Sequence, residues 1–166
     1  VAGPSPDRAM VFQSYSLLPR LSLVRNVHAA VRSARRDWAA EKVDATAERY
    51  LHGVGLWEHR DKRPHQVSGG MQQRAAVARA FAVEPRVLLL DEPFGALDAL
   101  TRARLQAQLI DLWSSESETE MVVMVTHGID EAILLSDRVV VMSNPPGRSV
   151  SAVIPVEIPR PRDRVS

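Results

Sequence analysis

The sequence predicts an α/β layered sheet, and three observations predict it. Two apolar runs read as buried parallel strands: Val87-Leu88-Leu89-Leu90, bounded by Pro85 and Pro93, and Met121-Val122-Val123-Met124-Val125. Stretches of helical pattern alternate with them. Both runs end in polar residues at the same relative place, Asp91-Glu92 and Thr126-His127. Open α/β sheets bind ligands at the carboxyl ends of their strands, so those endings are where chemistry is expected.

In chain order, Met10-Val11-Phe12 is a short apolar run that suits a buried strand, and Pro19 breaks the chain after it. From about Asn26 to Leu51 the residues suit a helix. Trp38, Val43 and Leu51 are its inward positions, and Arg35-Arg36-Asp37 to Glu41-Lys42 reads as a solvated face. Gly53 and Gly55 punctuate its end, and Arg60-Asp61-Lys62-Arg63-Pro64-His65 is a polar loop. Ser68-Gly69-Gly70 opens a helix from about Met71 to Val83, rich in alanine and arginine and ended by Pro85. Leu100 to Trp113 form a second strong helix with Leu105, Leu109 and Leu112 on one face. A short helix from about Ile129 to Leu135 leads into a strand from Arg138 to Met142. Ser151 to Ile158 is β-like, before Pro159-Arg160-Pro161-Arg162.

The 166 residues can bury a real core, and 25% charged with 45% hydrophobic residues is ordinary for a soluble globular domain. A net charge of +1 argues against a protein built to coat nucleic acid, and no nucleic-acid partner is expected. The absence of cysteine excludes disulfides and thiolate metal sites and suits a reducing compartment. No apolar run is long enough to span a bilayer, and Val1-Ala2-Gly3-Pro4-Ser5-Pro6-Asp7-Arg8 holds no apolar signal core. A cytoplasmic protein is expected, reaching a membrane only through a partner.

A carboxylate at the end of a buried strand can hold Mg²⁺ through water, and a second can orient or deprotonate an attacking water. Asp91 and Glu92 offer that pair, although an acidic turn at a strand end would look the same. Ser68-Gly69-Gly70 before a helix has the chemistry of an anion site. Glycines admit close approach, and the helix start presents N–H groups and a positive dipole end. By itself the stretch reads better as a flexible glycine turn.

The combination is more specific. Val67-Ser68-Gly69-Gly70-Met71-Gln72-Gln73-Arg74, Leu88-Leu89-Leu90-Asp91-Glu92-Pro93, Gly95-Ala96-Leu97-Asp98 and Val125-Thr126-His127 follow one another in a set order. In order and spacing they resemble the signature motif, Walker B strand, D-loop and switch histidine of the ABC ATPases. Phe12-Gln13 resembles that family's Q-loop. The resemblance covers nearly the whole chain and implies a P-loop NTPase-like (RecA-like) core with an inserted α-helical subdomain. It divides a single, partial nucleotide-binding domain into residues 1–13 (core strand and start of the Q-loop), 14–80 (helical subdomain with the signature motif) and 81–166 (core with Walker B, D-loop and switch histidine).

The resemblance also implies roles, with ATP and Mg²⁺ as ligands. Asp91 would hold Mg²⁺ through water, Glu92 would be the general base toward the attacking water, and His127 would contact the γ-phosphate. Gln13 would sense Mg²⁺ and the water and link them to the transport partner. Ser68, Gly69, Gly70 and Gln72 would bind nucleotide, Ser68 and Gly70 reaching a γ-phosphate held by the opposite subunit. Asp98 would cross the dimer interface, and it also reads as the N-cap of the helix that begins near Leu100. Met71 stands where many members have glutamine, and its backbone N–H survives, so little loss is expected. Gly128 stands where an acidic residue is usual, which would loosen His127.

Phosphoryl transfer in P-loop enzymes uses G-x-x-x-x-G-K-[ST], whose N–H groups cradle phosphates, whose lysine neutralises charge and whose hydroxyl binds Mg²⁺. The chain has only Lys42 and Lys62, which follow Glu41 and Asp61 rather than glycine. The family's adenine-stacking aromatic, which precedes that loop, is missing too. The sequence is therefore expected to begin after both, as an N-terminally truncated ATPase inactive by itself; a naturally loop-less pseudo-ATPase is the alternative.

Gly3-Pro4-Ser5-Pro6-Asp7-Arg8, Ser14-Tyr15-Ser16-Leu17-Leu18-Pro19 and Phe94-Gly95-Ala96-Leu97-Asp98-Ala99-Leu100-Thr101-Arg102 look like the nitrate, taurine and sulfonate importer group. Leu134-Leu135-Ser136-Asp137-Arg138-Val139-Val140-Val141-Met142-Ser143-Asn144 and Val156-Glu157-Ile158-Pro159-Arg160-Pro161-Arg162 are similar to nitrate/nitrite/cyanate importer subunits. The implied partners are transmembrane permease subunits, a solute-binding protein acting through the complex, and a second ATPase subunit. The implied place is peripheral, on the cytoplasmic face of the inner or plasma membrane. A taurine/sulfonate importer and a non-hydrolysing regulatory module remain alternatives. ABC-type nucleic-acid machines carry coiled coils or paired domains, and this chain has no sustained heptads.

Overall fold

The computed structural model describes residues 5–95, 97–114, 118–143 and 149–162. Val1 and Ala2, Gly3 and Pro4 of the importer-like stretch Gly3 to Arg8, Ala96 of the D-loop motif and Asn144 lie outside them. The chain divides into two compact units, Val1–Val125 and Thr126–Ser166.

The first unit is built on a parallel sheet of β1 (Arg8–Val11), β2 (Val87–Asp91) and β3 (Met121–Val125), in that order. The registers place Val11, Leu90 and Met124 side by side, and likewise Met10, Leu89 and Val123. Leu88 and Leu90 are buried, as a strand between two prolines was expected to be; Val11 is buried too, but Met10 and Phe12 beside it are 39% and 45% exposed, so that run is not the buried strand expected. Burying one such side chain is worth roughly 1.5–3 kcal/mol. The other face departs from expectation. Met121, Val123 and Val125 are 52%, 46% and 57% exposed, so β3 is not a fully buried strand. It lies at the edge of the sheet among the described residues, and an apolar run shows only what a strand is suited to, not what covers it.

Three helices, α1 (Leu23–Ala34), α2 (Ala40–Gly53) and α3 (Gly69–Ala82), connect β1 to β2 and pack on one another. Ser22 starts α1 by accepting the Arg25 N–H, and Leu23, Val27 and Val31 line its buried stripe. The single helix expected from Asn26 to Leu51 is thus two, and Trp38 falls in the break, half-buried rather than inward. Arg35 stands at the break as the C-cap of α1. Its guanidinium turns from solvent and donates through Nε to the Val83 carbonyl at 3.0 Å and through Nη2 to the Glu84 carbonyl at 2.7 Å. Val43 and Leu51 are buried, as expected. α3 is apolar nearly all round, with Ala75, Ala76, Val77, Ala78, Ala80, Phe81 and Ala82 buried, because it packs on α1, α2 and β1 together. The fully buried Asn26 amide ties the preceding loop down. It accepts the Leu18 N–H at 2.7 Å and donates to the carbonyls of Leu18, Leu21 and Ser22. After β2, α4 (Ala99–Ser114) buries Leu105, Leu109 and Leu112, the face the spacing predicted.

The second unit holds α5 (Ile129–Leu135) and an antiparallel pair, β4 (Arg138–Met142) and β5 (Val150–Pro155). The β-like run expected from Ser151 to Ile158 stops at Pro155, and the Val156 N–H turns to the Asp137 carbonyl. The Arg162 guanidinium donates to the carbonyls of Ile133, Ser136 and Ile158, each at 2.8 Å, satisfying acceptors at the end of α5.

Candidate active site

The parallel registers bring the carboxyl ends of β1, β2 and β3 to one edge of the first unit. Phe12 and Gln13 follow Val11, which pairs with Leu90, while Asp91 pairs with Val125. Glu92 continues β2 just past the ladder, its N–H donating to the Val125 carbonyl at 3.0 Å. There the backbone turns sharply, with Glu92 at φ 43°, a left-handed conformation uncommon outside glycine. The turn aims the side chain at β1, and Gln13 Nε2 donates to Glu92 Oε2 at 3.1 Å across 79 positions of sequence. Of the residues singled out in the sequence, Gln13, Asp91 and Glu92 are therefore gathered at one place.

The turn after Glu92 is braced from behind. Phe94 is fully buried, and the buried Gln73 of α3 donates through Nε2 to the Pro93 carbonyl at 2.8 Å. Gln73 thus links the signature helix to the Glu92 turn, a role its sequence context did not announce.

Ser68 caps α3, its Oγ accepting the Met71 N–H at 3.3 Å, so the methionine leaves the helix start intact as expected. Gly69 and Gly70 both lie at close approaches. A Cβ at Gly69 would lie 2.8 Å from the Tyr15 hydroxyl, and one at Gly70 2.8 Å from Thr101 Cγ2 of α4. Tyr15 is therefore packed against the signature turn, which the sequence did not reveal. The Gln72 amide turns back to the Val67 carbonyl at 3.4 Å. Asp98 is an N-cap, as read: its Oδ1 accepts the Thr101 N–H at 3.0 Å. Hydrogen bonds from the Thr101 side chain and backbone hold its carboxyl below the usual range.

In the second unit, His127 is exposed in the turn before α5. The Thr126 hydroxyl donates to Glu131 Oε2 at 2.6 Å and accepts the Gly128 N–H at 3.0 Å, closing a ring around His127. Glu131 was not among the residues singled out; a carboxylate five positions beyond Thr126 was its only signal.

The sequence model described as ABC transporter matches residues 4–95, more than half of the chain. The chain is 48% identical over 161 residues to the nitrate import ATP-binding protein NrtD of Synechococcus elongatus, covering 97% of this chain and 58% of that protein. It is 49% identical over 170 residues to the nitrate transport protein NasD of Klebsiella oxytoca, covering 99% and 63%. It is also 49% identical over 162 residues to the bicarbonate transport ATP-binding protein CmpC of a Synechocystis strain, covering 98% and 24%. Among solved structures, the ATP-binding cassette MJ0796, a dimer in a post-hydrolysis state with ADP and Pi, superposes with a TM-score of 0.73 at 29% identity. That match covers 90% of this chain and 63% of the other. The chain thus spans between a quarter and two thirds of the length of these relatives. With the family model, the identities and the superposed fold in agreement, this chain belongs to the ABC transporter family, as part of its ATP-binding domain.

Proposed function

We propose that the protein carrying this chain hydrolyses ATP as the energising subunit of an importer for a small anion, nitrate or nitrite. The observation that carries the hydrolysis is the Gln13–Glu92 pair at the carboxyl ends of parallel strands. A carboxylate held by a neutral amide stays an acceptor, as a base toward water must be. Asp91, beside it at the end of β2, supplies an oxygen for Mg²⁺. Among the described residues no group of three or more His, Cys, Asp or Glu could hold a metal ion unaided. That suits Mg²⁺, which is commonly held by one or two carboxylates together with substrate phosphates. The cation would neutralise phosphate charge, and His127 is assigned to the γ-phosphate.

Nitrate leads among solutes because of the tail similarity and because two of the relatives carry nitrate in their names. Bicarbonate relatives match equally well and sulfonate remains the alternative, so the test compares anions. With the full-length subunit, its permease and its solute-binding protein in liposomes, nitrate or nitrite should stimulate hydrolysis and be taken up. Stimulation by bicarbonate or a sulfonate alone would overturn the solute. Among the described residues no helix is long and apolar enough to cross a membrane, which suits a peripheral subunit on the cytoplasmic face.

Ser68 acts in trans in this reading. The start of α3 suits a phosphate, yet the domain's own phosphate belongs at Asp91, and a two-fold dimer reconciles the two. Mixing a Ser68→Arg chain with an Asp91→Asn chain should leave one site with both defects and one with neither. Mixed dimers are expected to hydrolyse ATP faster than either parent. Activity no higher than the parents would remove the trans role.

The loop after Gln13 is assigned to the permease. Leu18 is 47% exposed while the Asn26 amide fixes the backbone beneath it, a rigid presentation of an apolar group. Tyr15 was an equal candidate by sequence, but its contact with Gly69 makes Leu18 the cleaner probe. Leu18→Asp in the full-length subunit should abolish solute-stimulated hydrolysis and transport and leave basal hydrolysis intact. Unchanged transport would show that this loop is not the docking site.

A further inference from the structure

We propose that Glu131 is the positioning residue of the turn that presents His127. The inference rests on the assignment of His127 to the γ-phosphate. The Glu131 side chain is carried on α5 and is 9% exposed, so its carboxylate needs partners where it lies. The Thr126 hydroxyl provides one at 2.6 Å, a short charge-assisted bond. Because the same hydroxyl oxygen accepts the Gly128 N–H at 3.0 Å, its proton is committed to the carboxylate and cannot rotate away. Residues 126 and 128 are therefore both tied to the Thr126–Glu131 bond, and the backbone of His127 between them is fixed at each end.

Gly128 closes the arrangement. A Cβ at that position would stand 3.1 Å from the Glu131 carboxyl carbon and 3.1 Å from Oε2. A side chain there would ask the Glu131 carboxylate to give by a few tenths of an ångström. The glycine leaves the Glu131 carboxylate its room beside the turn.

An acidic residue in the first turn of a helix also favours the helix itself, so the test must separate the two roles. It uses the full-length subunit in single-turnover hydrolysis with enzyme in excess, alongside nucleotide affinity and thermal unfolding. Glu131→Ala should slow hydrolysis about 10- to 100-fold, the scale of a slightly misplaced catalytic group, with nucleotide affinity unchanged. Glu131→Gln, which keeps an oxygen for the Thr126 hydroxyl, should retain most of the rate. Thr126→Val should reproduce the loss while leaving the helix acid in place, and it carries the test should Glu131→Ala fail to fold. In a His127→Ala background neither change should cost anything further. A rate within about twofold of wild type for both variants, or an equal loss without His127, overturns the proposal. If His127→Ala itself leaves turnover intact, the role of the histidine fails first; if it lowers turnover while the other two do not, only this inference fails.

Discussion

ATP titration and phosphate release on the 166-residue chain alone should both stay below detection. In the proposed reading Asp91 serves the metal and Glu92, which accepts from Gln13, serves the water, and the chain also carries His127. It has no glycine-rich loop with a lysine, and Lys42 and Lys62 do not substitute. Lys42 lies over the Trp38 ring at 3.7 Å, and Lys62 is exposed in the polar loop before α3. Electrostatic stabilisation is the largest catalytic contribution in many enzymes, and one preorganised donor is worth ~10²–10³-fold. Here several backbone donors, a lysine and a metal-binding hydroxyl are missing together. The comparison is a chain extended upstream through a glycine-rich loop, which should bind ATP and turn it over. Mg²⁺-dependent turnover by the chain alone would refute the assignment of the phosphates to such a loop. Tight binding without turnover would favour a non-hydrolysing regulatory module.

In the full-length subunit, Glu92→Gln should lower turnover by ~10²–10⁴-fold, the usual cost of removing a positioned base. ATP binding should survive. Glutamine has the shape of glutamate, and its amide oxygen can still accept from Gln13 Nε2, so the 3.1 Å link is not broken by the exchange. Removing a negative charge from the neighbourhood of the γ-phosphate should also favour a nucleotide-bound dimer, seen as a shift to the dimer in size-exclusion chromatography with ATP. Wild-type turnover would take Glu92 out of the mechanism, and lost ATP binding would make it a structural residue.

What was legible in the sequence was whatever rests on local pattern. β2 lies between two prolines, α3 follows a serine cap and a glycine pair, and α5 and β4 fall at the expected residues. The motif residues could be named from the family resemblance, and three of them meet at the strand ends. What could not be read depends on long-range partners. Nothing local interrupts the helical pattern between Ala34 and Ala40, where Arg35 reaches carbonyls 48 and 49 positions away. The exposure of β3 was hidden because an apolar run looks the same covered or open. Gln73, Asn26 and Glu131 escaped notice for another reason. Each is a polar side chain spent inside the fold on backbone or hydroxyl partners, and composition cannot tell such a residue from a solvated one.

The left-handed backbone at Glu92 has an evolutionary consequence. A glycine would adopt that conformation freely, whereas a residue with a Cβ is disfavoured there by roughly 1 kcal/mol or more. Natural proteins keep only a slim stability margin, so this is a standing handicap. If Glu92 is the base proposed for it, a lineage relieved of the need for turnover would drift toward glycine at 92. An engineering campaign that screened this domain for heat resistance alone would discard the carboxylate for the same reason, and its most stable variants would be its least useful ones.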